Sequence, residues 1–200
     1  MSVKMKNCAE LPEGYREILQ IDLQKDKKLA VLVNGIAGAI AAVMLLLGVK
    51  FGVSISSAFD MSQGLGMYFV RWIAMLAGMV LYLVLHELVH GICMKYFSGI
   101  KPHYGFTGMY AYAGSEAYFN KRSYIIIALA PIVVWGIVLL ILNLLVPAEW
   151  FWIVYFIQVI NISGAGGDLY VSARFAKLPK DILVNDTGVS MTVYAKEEAQ

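Results

Sequence analysis

The chain has 200 residues, 60% of them hydrophobic and only 15% charged, with a net charge of +2 and a mean hydropathy of +0.67. That balance lies outside the range of ordinary soluble domains, and so small a positive charge gives no electrostatic case for a nucleic-acid partner. The two cysteines, Cys8 in a polar segment and Cys93 in an apolar run, do not make a disulfide framework.

Residues 1–28 are polar and mixed in charge, with Leu11-Pro12-Glu13-Gly14-Tyr15 as a turn-like start. Lys4 and Lys6 are followed by no apolar core of a signal peptide, so the segment reads as a cytoplasmic lead-in. The uncharged run 29–49 would extend about 31 Å as a helix, enough to cross a bilayer. Gly35, Gly38, Ala39 and Ala42 give it a small-residue face suited to close helix packing. A Gly- and Ser-containing extramembrane loop leads to a second span, 68–97, whose Arg71 is placed to snorkel to the interface.

Residues 103–119 are aromatic and punctuated by glycine. Alternation around Tyr110 and Tyr112, between Gly108 and Gly114, fits short strands or a hairpin and equally an interfacial tyrosine loop. The third span, 124–146, contains Pro131, which requires a neighbour to satisfy the carbonyl it frees. The fourth, 150–173, opens on Trp150 and Trp152 at the interface. In the tail, 174–200, Asp186-Thr187-Gly188 reads as a turn and Val189–Val193 as a small strand. The predicted fold is a single-domain, all-α membrane protein: four transmembrane helices, a short β-like loop between the second and third, and a small cytoplasmic tail. With both termini cytoplasmic, fourteen of the sixteen Lys and Arg residues fall inside and only Lys50 and Arg71 outside.

Chemistry concentrates in His86-Glu87-Leu88-Val89-His90. On a helix His86 and His90 project from one face, one turn apart, and can bind one Zn²⁺ through ring nitrogens. Glu87 lies about 100° round the helix, placed to take a proton from a metal-bound water. Ionisable groups in so apolar a run are costly without a purpose. Catalytic zinc usually takes three protein ligands and a water. Cys93 is seven residues beyond His86, about 10.5 Å along the axis, too far to share one tetrahedral ion.

Asp168 is the carboxylate inside the fourth span. It and His86 each lie 18 residues from the outer ends Trp150 and Tyr68, about 27 Å down. His103 is the rival third ligand. Asn161 shares Asp168's face if the helix is regular, though Gly164, Gly166 and Gly167 argue against regularity and for close backbone approach.

His86-Glu87-Leu88-Val89-His90-Gly91, Asn161 with Gly166-Gly167-Asp168, Leu11–Tyr15, Tyr110-Ala111-Tyr112, Ala130-Pro131 and Asp186–Gly188, on a four-span layout, resemble the putative zincin peptidase family of small bacterial membrane proteins. That family is distantly similar to the site-2 intramembrane metalloproteases. The resemblance implies His86, His90 and Asp168 as metal ligands, Glu87 as catalytic acid/base, and a bacterial plasma-membrane location. In site-2 proteases an Asn-x-x-Pro motif precedes the aspartate and a glycine follows it; here Gly164 and Leu169 occupy those places.

The function read from these residues is zinc-dependent hydrolysis of a membrane-embedded or juxtamembrane peptide, with one Zn²⁺ and with Asn161, Tyr110 and Tyr112 toward the substrate. Two other classes use the same residues: a metal or proton transporter with His86, His90 and Asp168 as its transit site, and a catalytically silent assembly protein with a structural metal. Glu87 separates them, since neither needs a general base beside the metal.

Overall fold

A computed structural model of the chain describes residues 7–22, 24–108 and 110–197. Lys4 and Lys6, counted on the inner side above, and Met109 of the aromatic loop lie outside the described residues. In chain order the elements are β1 (Tyr15–Ile21), α1 (Lys27–Phe51), α2 (Leu65–Ser98), β2 (His103–Phe106), β3 (Ala111–Gly114), β4 (Tyr118–Asn120), α3 (Lys121–Leu145), α4 (Ala148–Gly164), α5 (Gly166–Ala176), β5 (Leu183–Asp186) and β6 (Met191–Lys196).

Side-chain caps define several helix ends. Asp26 Oδ1 accepts the Leu29 N–H at 3.0 Å to start α1, and Asn120 Oδ1 accepts the Ser123 N–H at 3.0 Å to start α3. Helix α2 runs 34 residues, about 51 Å, and ends at Gly99, whose φ of +74° suits glycine. Four stretches, Lys27–Phe51, Leu65–Ser98, Lys121–Leu145 and Ala148–Ala176, are long and apolar enough to cross a membrane. Their outward faces are apolar too: Leu46, Val80 and Leu144 are each more than 60% exposed, a surface suited to lipid rather than water.

Two units divide the chain. The first holds Met1–Leu32, Glu87–Pro131 and Asp168–Gln200, and the second Val33–His86 and Ile132–Gly167. The division falls inside unbroken helices at His86/Glu87 and Pro131/Ile132.

Among the described residues all the strands lie in the first unit. β1, β6, β5 and β4 form an antiparallel sheet in that order, and β2 pairs with β3 in a separate hairpin. Register aligns Phe119 with Val184 and Val184 with Val193, and all three are fully buried. They pack with Met94, Tyr124, Ile127, Val171 and Phe175, so one apolar cluster joins the sheet to α2, α3 and α5. The all-α expectation is corrected here. The polar lead-in supplies β1, the tail supplies two strands, and β4 precedes α3, giving a four-stranded sheet beside the hairpin.

In the second unit Tyr82, Leu139 and Ile157 form the core. Three sequence expectations change. Trp152, read as an interfacial anchor, is 1% exposed and its indole N–H faces the Val53 and Ser54 carbonyls at 3.1 and 3.2 Å. Arg71, expected to snorkel outward, is buried and donates to the Asp60 carbonyl. Gly35 and Gly38 face open space, and close packing falls instead at Gly48, where an added Cβ would strike the Tyr155 ring.

Candidate metal centre

Helix α2 presents His86 and His90 on one face, and both are buried. Each ring has a defined partner at Nδ1. For His90 it is the Ile127 carbonyl, at 3.0 Å. A carbonyl can only accept, so Nδ1 carries the proton.

For His86 it is the Tyr82 hydroxyl, at 2.8 Å. The direction of that bond follows from its neighbours. Asn161 Nδ2 donates to the Ile132 carbonyl at 3.2 Å, which turns Asn161 Oδ1 toward Tyr82, and Tyr82 donates its one proton there at 3.0 Å. The Tyr82 oxygen is then left to accept from His86 Nδ1. Nδ1 of each ring therefore carries a proton, which leaves Nε2 as the atom each ring can offer to a metal.

The fourth span is not one regular helix. It breaks at Ala165, and α5 restarts at Gly166 with Asp168 in its first turn. The Asp168 carboxylate approaches His90 Nε2 at 3.6 Å. His86, His90 and Asp168 each offer a ligand atom, all within 4.8 Å of one another. Two imidazole nitrogens and one carboxylate oxygen are a donor set that fits zinc with a fourth position left for water.

Glu87 is half-buried, one residue on from His86. Gly91 completes the local surface. The Tyr104 hydroxyl of β2 sits where a Cβ on residue 91 would lie, so only glycine lets the hairpin close down on the motif helix. Burial raises the Tyr104 phenol above its ordinary range, and the charge of Glu87 adds to the rise.

The other candidates fall elsewhere. His103 stands on β2 with Nε2 3.2 Å from the Thr187 carbonyl and is not part of the three-residue group. Asn161, read as a substrate contact, is 0% exposed and bonded through both ends of its amide. Tyr112 is taken up in packing: Cβ atoms added at Gly105 or Gly188 would meet its ring or hydroxyl. Tyr110 is half-buried, and the exposed aromatics of the hairpin are Tyr104 and Phe106.

The sequence reading missed Tyr82, although its place four residues before His86 was a usable signal. It also took Asp186 only as a turn residue. That side chain is buried, accepting the Tyr124 hydroxyl at 2.6 Å and the Gly188 N–H at 2.8 Å. Burial raises its carboxyl above the usual range in spite of both donors.

A chain with four helices able to cross a membrane and a His-Glu-x-x-His helix beside an aspartate has the make-up of a zincin-type metallopeptidase. The family model described as putative zincin peptidase matches residues 79–183, from before Tyr82 to the start of β5. The chain belongs to that family. No curated protein and no solved structure matches it.

Proposed function

We propose that the protein is a membrane-embedded zinc peptidase that hydrolyses a peptide bond within or beside the bilayer. The observation that carries this reading is the grouping of His86, His90 and Asp168 with Glu87 on the same helix. Zinc held by the three would polarise the scissile carbonyl and bring the pKa of its water to about 7. Glu87 accepts the proton of the attacking water and returns it to the leaving amine. Nδ1 bonds hold the two imidazoles still.

The substrate's place is suggested by the hairpin. Among the described residues β2 pairs with β3 alone, so an extended peptide can add to the other edge of β2, beside Tyr104 and the motif helix. Successive residues of an edge strand point their N–H groups to opposite sides, so one of Tyr104 and Gly105 faces the incoming strand. One of Tyr104→Pro and Gly105→Pro should lower cleavage with zinc content unchanged, and full activity in both would reject the edge.

Both termini are assigned to the cytoplasmic side from the distribution of basic residues. Cysteines at exposed Gln63 and Lys180 should then label from opposite sides of the membrane, and labelling of both from outside would reverse the assignment. The test of the function itself is Glu87→Gln. Zinc content should stay at the wild-type level while cleavage of a membrane-anchored reporter peptide disappears. Undiminished cleavage, or loss of zinc with the variant, would overturn the role of Glu87. Zinc transport that survives the substitution would favour a transporter.

A further inference from the structure

Pro131 stands inside α3, with helix continuing on both sides. In a regular helix the N–H of residue 131 would bond to the carbonyl four residues back, which is that of Ile127. Proline has no N–H, so this carbonyl is released. Ile127 is 1% exposed, and a buried acceptor in an apolar span needs a partner. The partner is His90, whose Nδ1 lies 3.0 Å away. The acceptor that His90 uses is the one that Pro131 frees.

We propose that Pro131 is a positioning residue of the metal centre: by withholding an N–H from Ile127, it keeps that carbonyl free to hold His90 as the Nδ1–H tautomer, with Nε2 turned toward Asp168. His90 Nε2 already lies 3.6 Å from the Asp168 carboxylate. A competing N–H at position 131 would weaken the hold on the ring, which could then rotate or take the Nε2–H form, whose Nε2 has no lone pair for a metal. His86 is insulated from this. Its Nδ1 is held by Tyr82 and Asn161, and the chain of bonds ends on Ile132, whose carbonyl proline at 131 does not release. The two histidines of one motif thus depend on different parts of α3, and His86 is an internal control.

The consequence is a pair of opposed effects. Proline inside a helix is unfavourable to the helix itself. Pro131→Ala should leave thermal stability equal or higher while weakening the metal site. A purely structural role would move both the same way.

The experiment uses the full chain in detergent, with ¹⁵N-histidine NMR on the metal-free protein at a pH alkaline enough to leave both rings neutral, and zinc affinity by chelator competition. In Pro131→Ala the His90 ring should lose its pure Nδ1–H signature while His86 keeps it, and zinc affinity should fall about 10–100-fold, the usual effect of removing a partner that orients a ligand. Lactic acid at position 131, which lacks both the ring and the N–H, should keep the wild-type His90 signature and affinity. If His90 stays fully Nδ1–H in Pro131→Ala with affinity within about twofold of wild type, the proposal is overturned. It is overturned equally if lactic acid behaves as alanine does, since the ring and not the missing N–H would then be responsible.

The affinity measurement rests on the zinc-peptidase reading, whereas the metal-free spectrum does not. Wild-type protein that binds no zinc, yet shows the expected tautomers and their change in Pro131→Ala, would reject that reading and support the role of Pro131.

Discussion

Replacing Tyr82 by Phe removes one oxygen atom and tests how His86 is held. Tyr82 is 5% exposed and its hydroxyl makes two buried bonds, to His86 Nδ1 at 2.8 Å and to Asn161 Oδ1 at 3.0 Å. Phe keeps the ring and its packing against Leu139 and Ile157, so the loss falls on the hydroxyl. Stripping a buried polar atom of its partner costs about 1–3 kcal/mol, and two atoms are affected, His86 Nδ1 and Asn161 Oδ1, giving about 2–6 kcal/mol in all. Part of this falls on the metal site, because His86 is no longer biased to the Nδ1–H form. A lost orienting partner weakens zinc binding about 10–100-fold, or about 1.4–2.8 kcal/mol.

The assay is zinc competition against a chromophoric chelator, with thermal unfolding of the metal-free protein beside it. Asn161→Leu should lower affinity in the same direction but by less, since the Tyr82 hydroxyl remains. If Tyr82→Phe binds zinc within about twofold of wild type, the tautomer argument for His86 is wrong.

Three further outcomes are expected. Asp168→Ala should abolish stable zinc binding while His103→Ala leaves it intact, measured as metal content after gel filtration; the reverse pattern would move the third ligand to the hairpin. Gly188→Ala should lower stability by more than about 1 kcal/mol, because φ there is +80° and the Tyr112 ring fills the space of a Cβ; unchanged thermal unfolding would contradict this. Asp186 has its carboxyl raised by burial, so its contribution to stability is complete below the unfolded value of about 3.9 and is lost as pH rises through the higher folded value. The advantage of wild type over the non-titrating Asp186→Asn should therefore shrink as pH is raised from about 4, and a pH-independent difference in melting temperature would show that Asp186 titrates normally.

Local pattern made part of this architecture legible in the sequence alone. Long apolar runs mark the four stretches able to cross a membrane, whose ends in the structure differ by a few residues from 29–49, 68–97, 124–146 and 150–173. The spacing of His86 and His90 puts them on one face of α2 because an α-helix returns to the same side every four residues. Gly108, with a φ of +89°, lies in the turn of the β2–β3 hairpin and Gly114 ends β3 against Thr187, a turn and a close approach that need glycine.

What tertiary structure alone decided depends on partners far away in the chain. Tyr15–Ile21 carries no strong strand pattern and is a strand because β6, more than 170 residues on, supplies its hydrogen bonds. Trp152 and Arg71 look like interface residues by composition, but they turn inward because carbonyls at Val53, Ser54 and Asp60 await their donors. Pro131 could be read as a carbonyl set free, yet nothing near it in sequence says that His90 would take that carbonyl. Nor does the sequence say that Asn161 would bond to Tyr82. The His90–Ile127 and Tyr82–Asn161 pairings join groups 37 and 79 residues apart. Chain order carries no trace of them, because a buried polar group is satisfied by whichever neighbour the packing of helices brings within about 3 Å.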